Sequence, residues 1–262
     1  TPKRAMPAIT LVKRLLADPR VAKSLLRTED NAANLDADTL AELLEAKGTP
    51  LGRQELEGEV LDEAEGALWT TDETKARTLG LGLIVHGELP ADGLGRRLLA
   101  VDPSDGEADS DEYGLAVATI DTEQRCYVLA SDGVRLGPGG NVDHTVAMYE
   151  QWECDAVVVE KNHGGRYLPT MLRARGLPVI EVSASQGKRT RAEPVAAMYA
   201  PGRPGVVHVS AFPELEDQMT AFTGAPGEES PDRLDALVWA LSSLSKTPGR
   251  GTRTIFRTFN AA

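Results

Sequence analysis

The chain has 262 residues, 41% hydrophobic and 26% charged, with a formal net charge of −12. That length can bury a substantial core in one large domain or two modest ones. No stretch approaches the roughly 18 consecutive apolar residues of a membrane span, and the N-terminal TPKRAMPAIT lacks the apolar run of a secretory signal, so a soluble cytoplasmic protein without a membrane partner is expected.

Residues 1 to about 70 read as mixed helix and loop. LVKRLLADPRVAKSLL has apolar residues at helical spacing, and LDADTLAELLEAKG opens on acids and stops at Gly48. Residues 71–97 read as a connector, because HGELPADGLGRR carries the Pro and Gly punctuation of a boundary. From Leu98 the character changes. LLAVDPS is a short apolar strand ending at Asp102, and YGLAVATID and RCYVLAS are two more, followed by the Gly/Pro loop DGVRLGPGG. Next come a helix at about 142–152, a strand at 155–160, a helix at 165–175, a strand at 178–183, a helix at 190–199, a short strand at VVHVS and a last helix at about 231–245. Three strands in succession, then alternating helix and strand, predict an α/β sheet with an antiparallel edge and helices on its faces. Cys126 and Cys154 are too few for a disulfide framework or a zinc site; in apolar surroundings they read as buried free thiols.

The net charge argues against a nucleic-acid partner, but its distribution does not. Residues 161–191 hold seven cations, Lys161, Arg166, Arg173, Arg175, Lys188, Arg189 and Arg191, against the single acid Glu181. The tail from Lys246 to Ala262 has four cations and no acids. Such a surface beside an anionic pocket suits a polyanion gripped by Lys and Arg while metal ions bridge it to carboxylates. A solvated helix face would have the same composition.

The acids fall at instructive places. Asp102 ends the first strand and Glu160 ends the fourth, in DAVVVEKNHGG, and adjacent strand ends can bring both to the edge where open α/β sheets bind ligands. In SPDRLDALVWALSSL, Ser230 is an N-cap candidate and Pro231 the first helical residue, and Asp232 and Asp235 share one helix face. Leu234, Leu237, Val238 and Leu241 form the apolar stripe that docks the helix. Carboxylates from separated segments are what two Mg²⁺ ions require, set about 3.5–4 Å apart to activate water and stabilise the leaving oxygen of a phosphodiester. Each acid also has a plainer role open to it: Asp102 before Pro103 as a turn residue, Glu160 as a solvated or ion-paired strand end, Asp232 as a helix first-turn acid.

The order VDPS, VVVEKNHGG, GKRTRAEPVAAMY, FPELEDQMTAF and SPDRLDALVWAL, over roughly Leu98 to Leu244, resembles the C-terminal nuclease domain of phage terminase large subunits. The resemblance implies a ribonuclease-H-like fold close to the Holliday-junction resolvases, in which a mixed sheet of three antiparallel and then parallel strands is flanked by helices. It implies Mg²⁺- or Mn²⁺-dependent endonucleolytic cutting of concatemeric double-stranded DNA. By motif, Asp102, Glu160 and Asp235 correspond to the metal-binding acids and Asp232 to a neighbouring position. Lys161, Arg166, Lys188, Arg189 and Arg191 are the candidate DNA-backbone contacts, although Arg191 could instead pair with Glu193 or another carboxylate, and Asn162 and His163 are possible accessories. Trp69, Trp152 and Trp239 read as core.

TEDNAANL and GTPLGRQELEGEVLDEAEGALW resemble the closing portion of the packaging ATPase of the same proteins. That divides the chain into an ATPase remnant at 1–70, a linker at 71–97, a nuclease domain at 98–246 and a basic flexible tail at 247–262. No G-x-x-x-x-G-K-[ST] motif occurs, so no ATP hydrolysis is expected of this chain, which reads as a fragment or a split gene product. The implied partners are double-stranded DNA, the terminase small subunit and the capsid portal, in a ring on the procapsid in the host cytoplasm, with a monomer in isolation. A resolvase-like nuclease on branched DNA and a non-catalytic DNA-gripping module are the alternatives.

Overall fold

The structure is a computed structural model, and it describes residues 15, 18–22, 66–103, 112–161, 167–202, 205–225, 228 and 231–245. The elements expected before Gly66, the tail at 247–262, Asn162, His163, Arg166 and Ser230 lie outside these residues.

A six-stranded sheet carries the fold. Its strands are β3 (Leu94–Asp102), β4 (Tyr113–Asp121), β5 (Cys126–Val134), β6 (Ala156–Glu160), β7 (Val179–Val182) and β8 (Val206–His208), in the order β7-β6-β3-β4-β5-β8. β3, β4 and β5 pair antiparallel, whereas β6 and β7 add parallel on one side and β8 parallel on the other. The antiparallel trio therefore lies in the middle, not at the edge the sequence suggested. VVHVS, whose place the sequence did not give, supplies the third parallel pairing.

Side chains alternate across a strand, so each strand feeds two cores. Leu98 and Ala100 of β3, Ala116 and Ala118 of β4 and Ala156 and Val158 of β6 pack on one face, under α4 (Lys188–Met198), α5 (Pro213–Ala221) and α6 (Asp232–Ser245). Leu99, Val101, Leu115, Val117, Val157 and Val159 face the other way, onto α2 (Pro138–Gln151) and α3 (Tyr167–Ala174). β6, covered on both faces, is buried throughout, which is why AVVV carries no polar alternation. α6 crosses β4, β3 and β5. Its Leu234, Leu237, Leu241 and Leu244 are at most 2% exposed. At about 1.5–3 kcal/mol per buried leucine, these four contribute up to roughly 6–12 kcal/mol, so the docking of α6 is strongly determined.

Residues 71–97 are a folded part of the sheet's cover and not a simple connector. They contain α1 (Glu73–Leu79), β2 (Gly82–Leu83) and the start of β3. Asp72 caps α1 by accepting from the amides of Thr74 and Lys75, and Gly80 ends it in the left-handed region at φ 71°. β2 pairs in parallel with β1 (Trp69–Thr70). A Cβ at Gly82 would stand 2.8 Å from the Trp69 ring and 2.9 Å from Tyr199 Cβ, so glycine is what lets this strand close on the core. Trp69 is fully buried there, as expected, while Trp152 is only half-buried. Both cysteines are free and buried. Among the described residues, no helix is long and apolar enough to cross a membrane.

Candidate active site

Strand parity decides where the acids go. Asp102 continues the Leu98, Ala100 series and Glu160 the Ala156, Val158 series, so both belong to the face covered by α6. Val101 pairs with Val159, which makes Asp102 and Glu160 the next residues of two neighbouring strand ends. α6 brings its first turn to the same edge with Asp232 and Asp235, both buried. Gly114, the partner of Asp102 across β4, makes this approach possible. A Cβ there would stand 2.8 Å from the Arg233 amide nitrogen and nearer still to the Asp232 carbonyl.

Glu160 is held firmly. Its Oε2 accepts from the Trp239 indole N–H at 3.0 Å and from Arg191 at 3.2 Å. Its Oε1 is buried and has no hydrogen-bond partner among the described residues. Trp239 was expected only to fill the core; it is buried, and it also donates this hydrogen bond. Its position four residues after Asp235, on the same helix face, was the signal for that second role. Arg191 stacks on the Trp239 ring at 4.7 Å and reaches Asp235 at 3.6 Å. Lys188 donates to Asp235 Oδ2 at 2.5 Å.

Four acids and two cations share this edge, so full ionisation would leave a formal charge of −2. The titration of the groups reflects that excess. Burial, then Asp235 and Asp232, push the Asp102 carboxyl well above the carboxylate range; Glu160 adds to this and Lys188 opposes it. Burial likewise raises Asp235, against the pull of Lys188 and Arg191. Burial would lower the Lys188 ammonium, but Asp235, Asp102 and Asp232 outweigh it and hold it above its ordinary value.

The basic island is thus divided. Lys188 and Arg191, expected as DNA-backbone contacts, pair with the carboxylates, on a helix α4 that buries Ala192 and Val195; the Arg191 side chain is largely buried and that of Lys188 stays partly exposed. The alternative pairing of Arg191 with a carboxylate is the one realised, with Glu160 and Asp235 and not Glu193. Arg189 is a strut, bonded to the Thr223 carbonyl, to the Gly66 carbonyl at 3.1 Å and to Glu193 at 3.2 Å. Lys161 is exposed beside Glu160.

The residues fit divalent cations: hard carboxylate oxygens, an uncompensated formal charge of −2, and the orphaned Oε1 of Glu160. Sheet order and flanking helices define a chain of the ribonuclease-H-like fold class, with four acids gathered at one end of the sheet. Residues 99–244 match the family described as "Terminase RNaseH-like domain", and the chain belongs to that family. Among solved structures it is similar to the large terminase nuclease from thermophilic phage G20c with bound magnesium, at 14% identity and TM-score 0.46, covering 61% of this chain and 92% of that one. It is also similar to the nuclease domain of the large terminase subunit gp2 of bacterial virus Sf6, at 14% identity and TM-score 0.42, covering 63% and 92%. Thermus thermophilus RuvC matches at 15% identity and TM-score 0.34, covering 56% and 92%. No curated protein matches the chain.

Proposed function

We propose that this chain is the Mg²⁺- or Mn²⁺-dependent endonuclease of a viral DNA-packaging terminase, cutting concatemeric double-stranded DNA. The reading rests on one observation above all, the buried Glu160 oxygen without a partner among the described residues, inside a cluster whose acids outnumber its cations. A module that only gripped DNA would have no use for such a cluster. Asp102, Glu160 and Asp235 would hold two ions, with Asp232 beside them at the start of α6. When bound, the ions supply an activated water and charge stabilisation for the leaving oxygen.

The chain's own residues set up that chemistry. Trp239 and Arg191 fix the rotamer of Glu160 through one of its oxygens and leave the other available. Lys188 and Arg191 offset part of the acid repulsion, which lets the site stay folded before metal arrives. Lys161, exposed at the end of β6, would meet a DNA phosphate and position the duplex without reading its sequence. Asn162, His163 and Arg166 follow it in the sequence and remain candidates for backbone and scissile-phosphate contacts. The terminase small subunit and capsid portal are the proposed partners at the procapsid, and residues 1–70 the proposed remnant of the ATPase.

The test is nicking of supercoiled plasmid by the purified chain in Mn²⁺ or Mg²⁺, repeated with Asp102→Ala, Glu160→Ala and Asp235→Ala. Each substitution should abolish nicking, and nicking that survives all three would refute the assignment. A linear duplex beside a four-way junction separates packaging-type cutting from resolvase-type cutting.

A further inference from the structure

A second group of ligand-bearing side chains lies on the outer strand of the sheet, away from the acids. His86, His208 and Glu216 come from three segments: the stretch between β2 and β3, the end of β8, and the first half of α5. His86 Nε2 and His208 Nδ1 each lie 2.8 Å from Glu216 Oε1, and all three ligand atoms fall within 4.8 Å of one another. We propose that these residues form a binding site for a divalent transition-metal ion, zinc by preference, which clasps the segment ahead of the nuclease sheet to its outer strand.

The geometry is prepared from outside the cluster. His86 and His208 are paired in a parallel bridge, with the His208 amide donating to Val85 O at 2.9 Å and the Gly87 amide to His208 O at 3.0 Å. The backbone therefore sets the two rings face to edge, 6.0 Å apart. Glu216 is anchored by the Phe212 amide, which donates to its Oε1 at 3.2 Å. The far nitrogen of His208, Nε2, lies 3.1 Å from the buried Tyr199 hydroxyl. That is the outer-shell hydrogen bond that fixes the tautomer and orientation of a metal-bound imidazole.

The chemistry favours zinc over the hard cations of the acid cluster. Two imidazoles and one carboxylate are borderline ligands suited to Zn²⁺, whereas Mg²⁺ prefers oxygen. With bonds of about 2.0–2.2 Å, tetrahedral ligand atoms stand about 3.3 Å apart. Glu216 Oε1 must open from 2.8 Å to about that distance from each ring nitrogen, and the two nitrogens, within 4.8 Å of each other, must settle at the same spacing. His208 is fully buried while the His86 side chain is 46% exposed, so an ion can enter beside His86 and keep one position for water.

The experiment uses the full chain stripped with chelator and titrated with Zn²⁺ in a calorimeter, and with Co²⁺ as an absorbing probe. One zinc should bind tightly, ahead of any ions taken up by the acid cluster, and Co²⁺ should give the visible bands of imidazole coordination. Losing an outer-shell partner typically costs about 10–100-fold in metal affinity, so His86→Ala, a change at an exposed residue, should cost at least about 100-fold. It should leave any Mn²⁺-dependent nicking unchanged. Glu216→Gln keeps the size of the side chain and should also weaken zinc binding. Asp102→Asn should leave it unaltered, which separates this site from the acid cluster. The proposal is overturned if the parent chain takes up no zinc, leaving the cluster a hydrogen-bonded clamp. It is equally overturned if zinc affinity is indifferent to His86→Ala and Glu216→Gln.

Discussion

Substituting Gly114 by alanine adds one methyl group at the point where α6 meets the sheet. The new Cβ would lie 2.8 Å from the Arg233 nitrogen and closer to the Asp232 carbonyl, both backbone atoms that cannot swing aside. Carbon–oxygen contacts settle at about 3.3–3.6 Å, so the first turn of α6 must retreat by on the order of 1 Å. Asp232 and Asp235 ride on that turn and would withdraw from Asp102 and Glu160. A misplacement of about 1 Å can cost around 100-fold in rate, equivalent to about 2.7 kcal/mol of transition-state stabilisation. Overpacking should cost only about 1–3 kcal/mol of stability, because the leucine stripe of α6 is untouched. Plasmid nicking in Mn²⁺ measures the first quantity, and thermal melting followed by circular dichroism the second. Gly139→Ala is the control, since its Cβ would meet nothing within 4 Å. A folded Gly114→Ala protein that nicks at the parent rate would refute the idea that this contact positions the acids.

Adding Mn²⁺ at a hundredfold excess over its Kd should stabilise the protein by about 2.7 kcal/mol, or roughly 5–10 °C in Tm; Asp102→Asn should raise Tm in chelator by relieving repulsion and lose the response to Mn²⁺. Trp239→Phe removes a donor to the Glu160 carboxylate and should cost about 1.5–3 kcal/mol in chelator, measurable by urea unfolding. Burial pushes the Cys126 and Cys154 thiols up to about 12, so neither should react with a thiol reagent at pH 8 until the chain is unfolded. Because both are raised, the stability they favour is complete below the ordinary thiol value of about 8.5 and is lost as pH climbs from there toward 12; a fall in unfolding free energy between pH 8 and pH 10.5 is expected.

Much of this architecture could be read from local pattern. The alternation in LLAVD, the unbroken AVVV and the long stripe of SPDRLDALVWALSSL each fit one place in a sheet with helices on both sides. α5 escaped notice although Pro213, Glu214 and Glu216 are helix-start residues, because only Leu215 and Met219 mark its buried face. α1 is seven residues long, too short for periodicity to show, and its cap residues Asp72 and Gly80 were the only signals. The acids were legible by position, since strand ends and helix starts are few. The cations were not, because composition records a charge without saying which way it turns. Spacing holds that information: Lys188, Arg191 and Val195 lie three and four apart on α4, so two of the basic residues share a face with a core valine. The grouping of His86, His208 and Glu216 was invisible in sequence, because His86 stands more than 120 residues before the other two and meets them through the bridge to His208.

The burial of Trp69 has a mechanical consequence. Its indole sits among Tyr199, Phe222 and the helices above the sheet. A tension applied at Gly66 would therefore load that packed layer directly. A chain trimmed to begin at Leu98 would leave an indole-sized void there, so the smallest autonomous unit starts some thirty residues earlier than the acid motifs suggest.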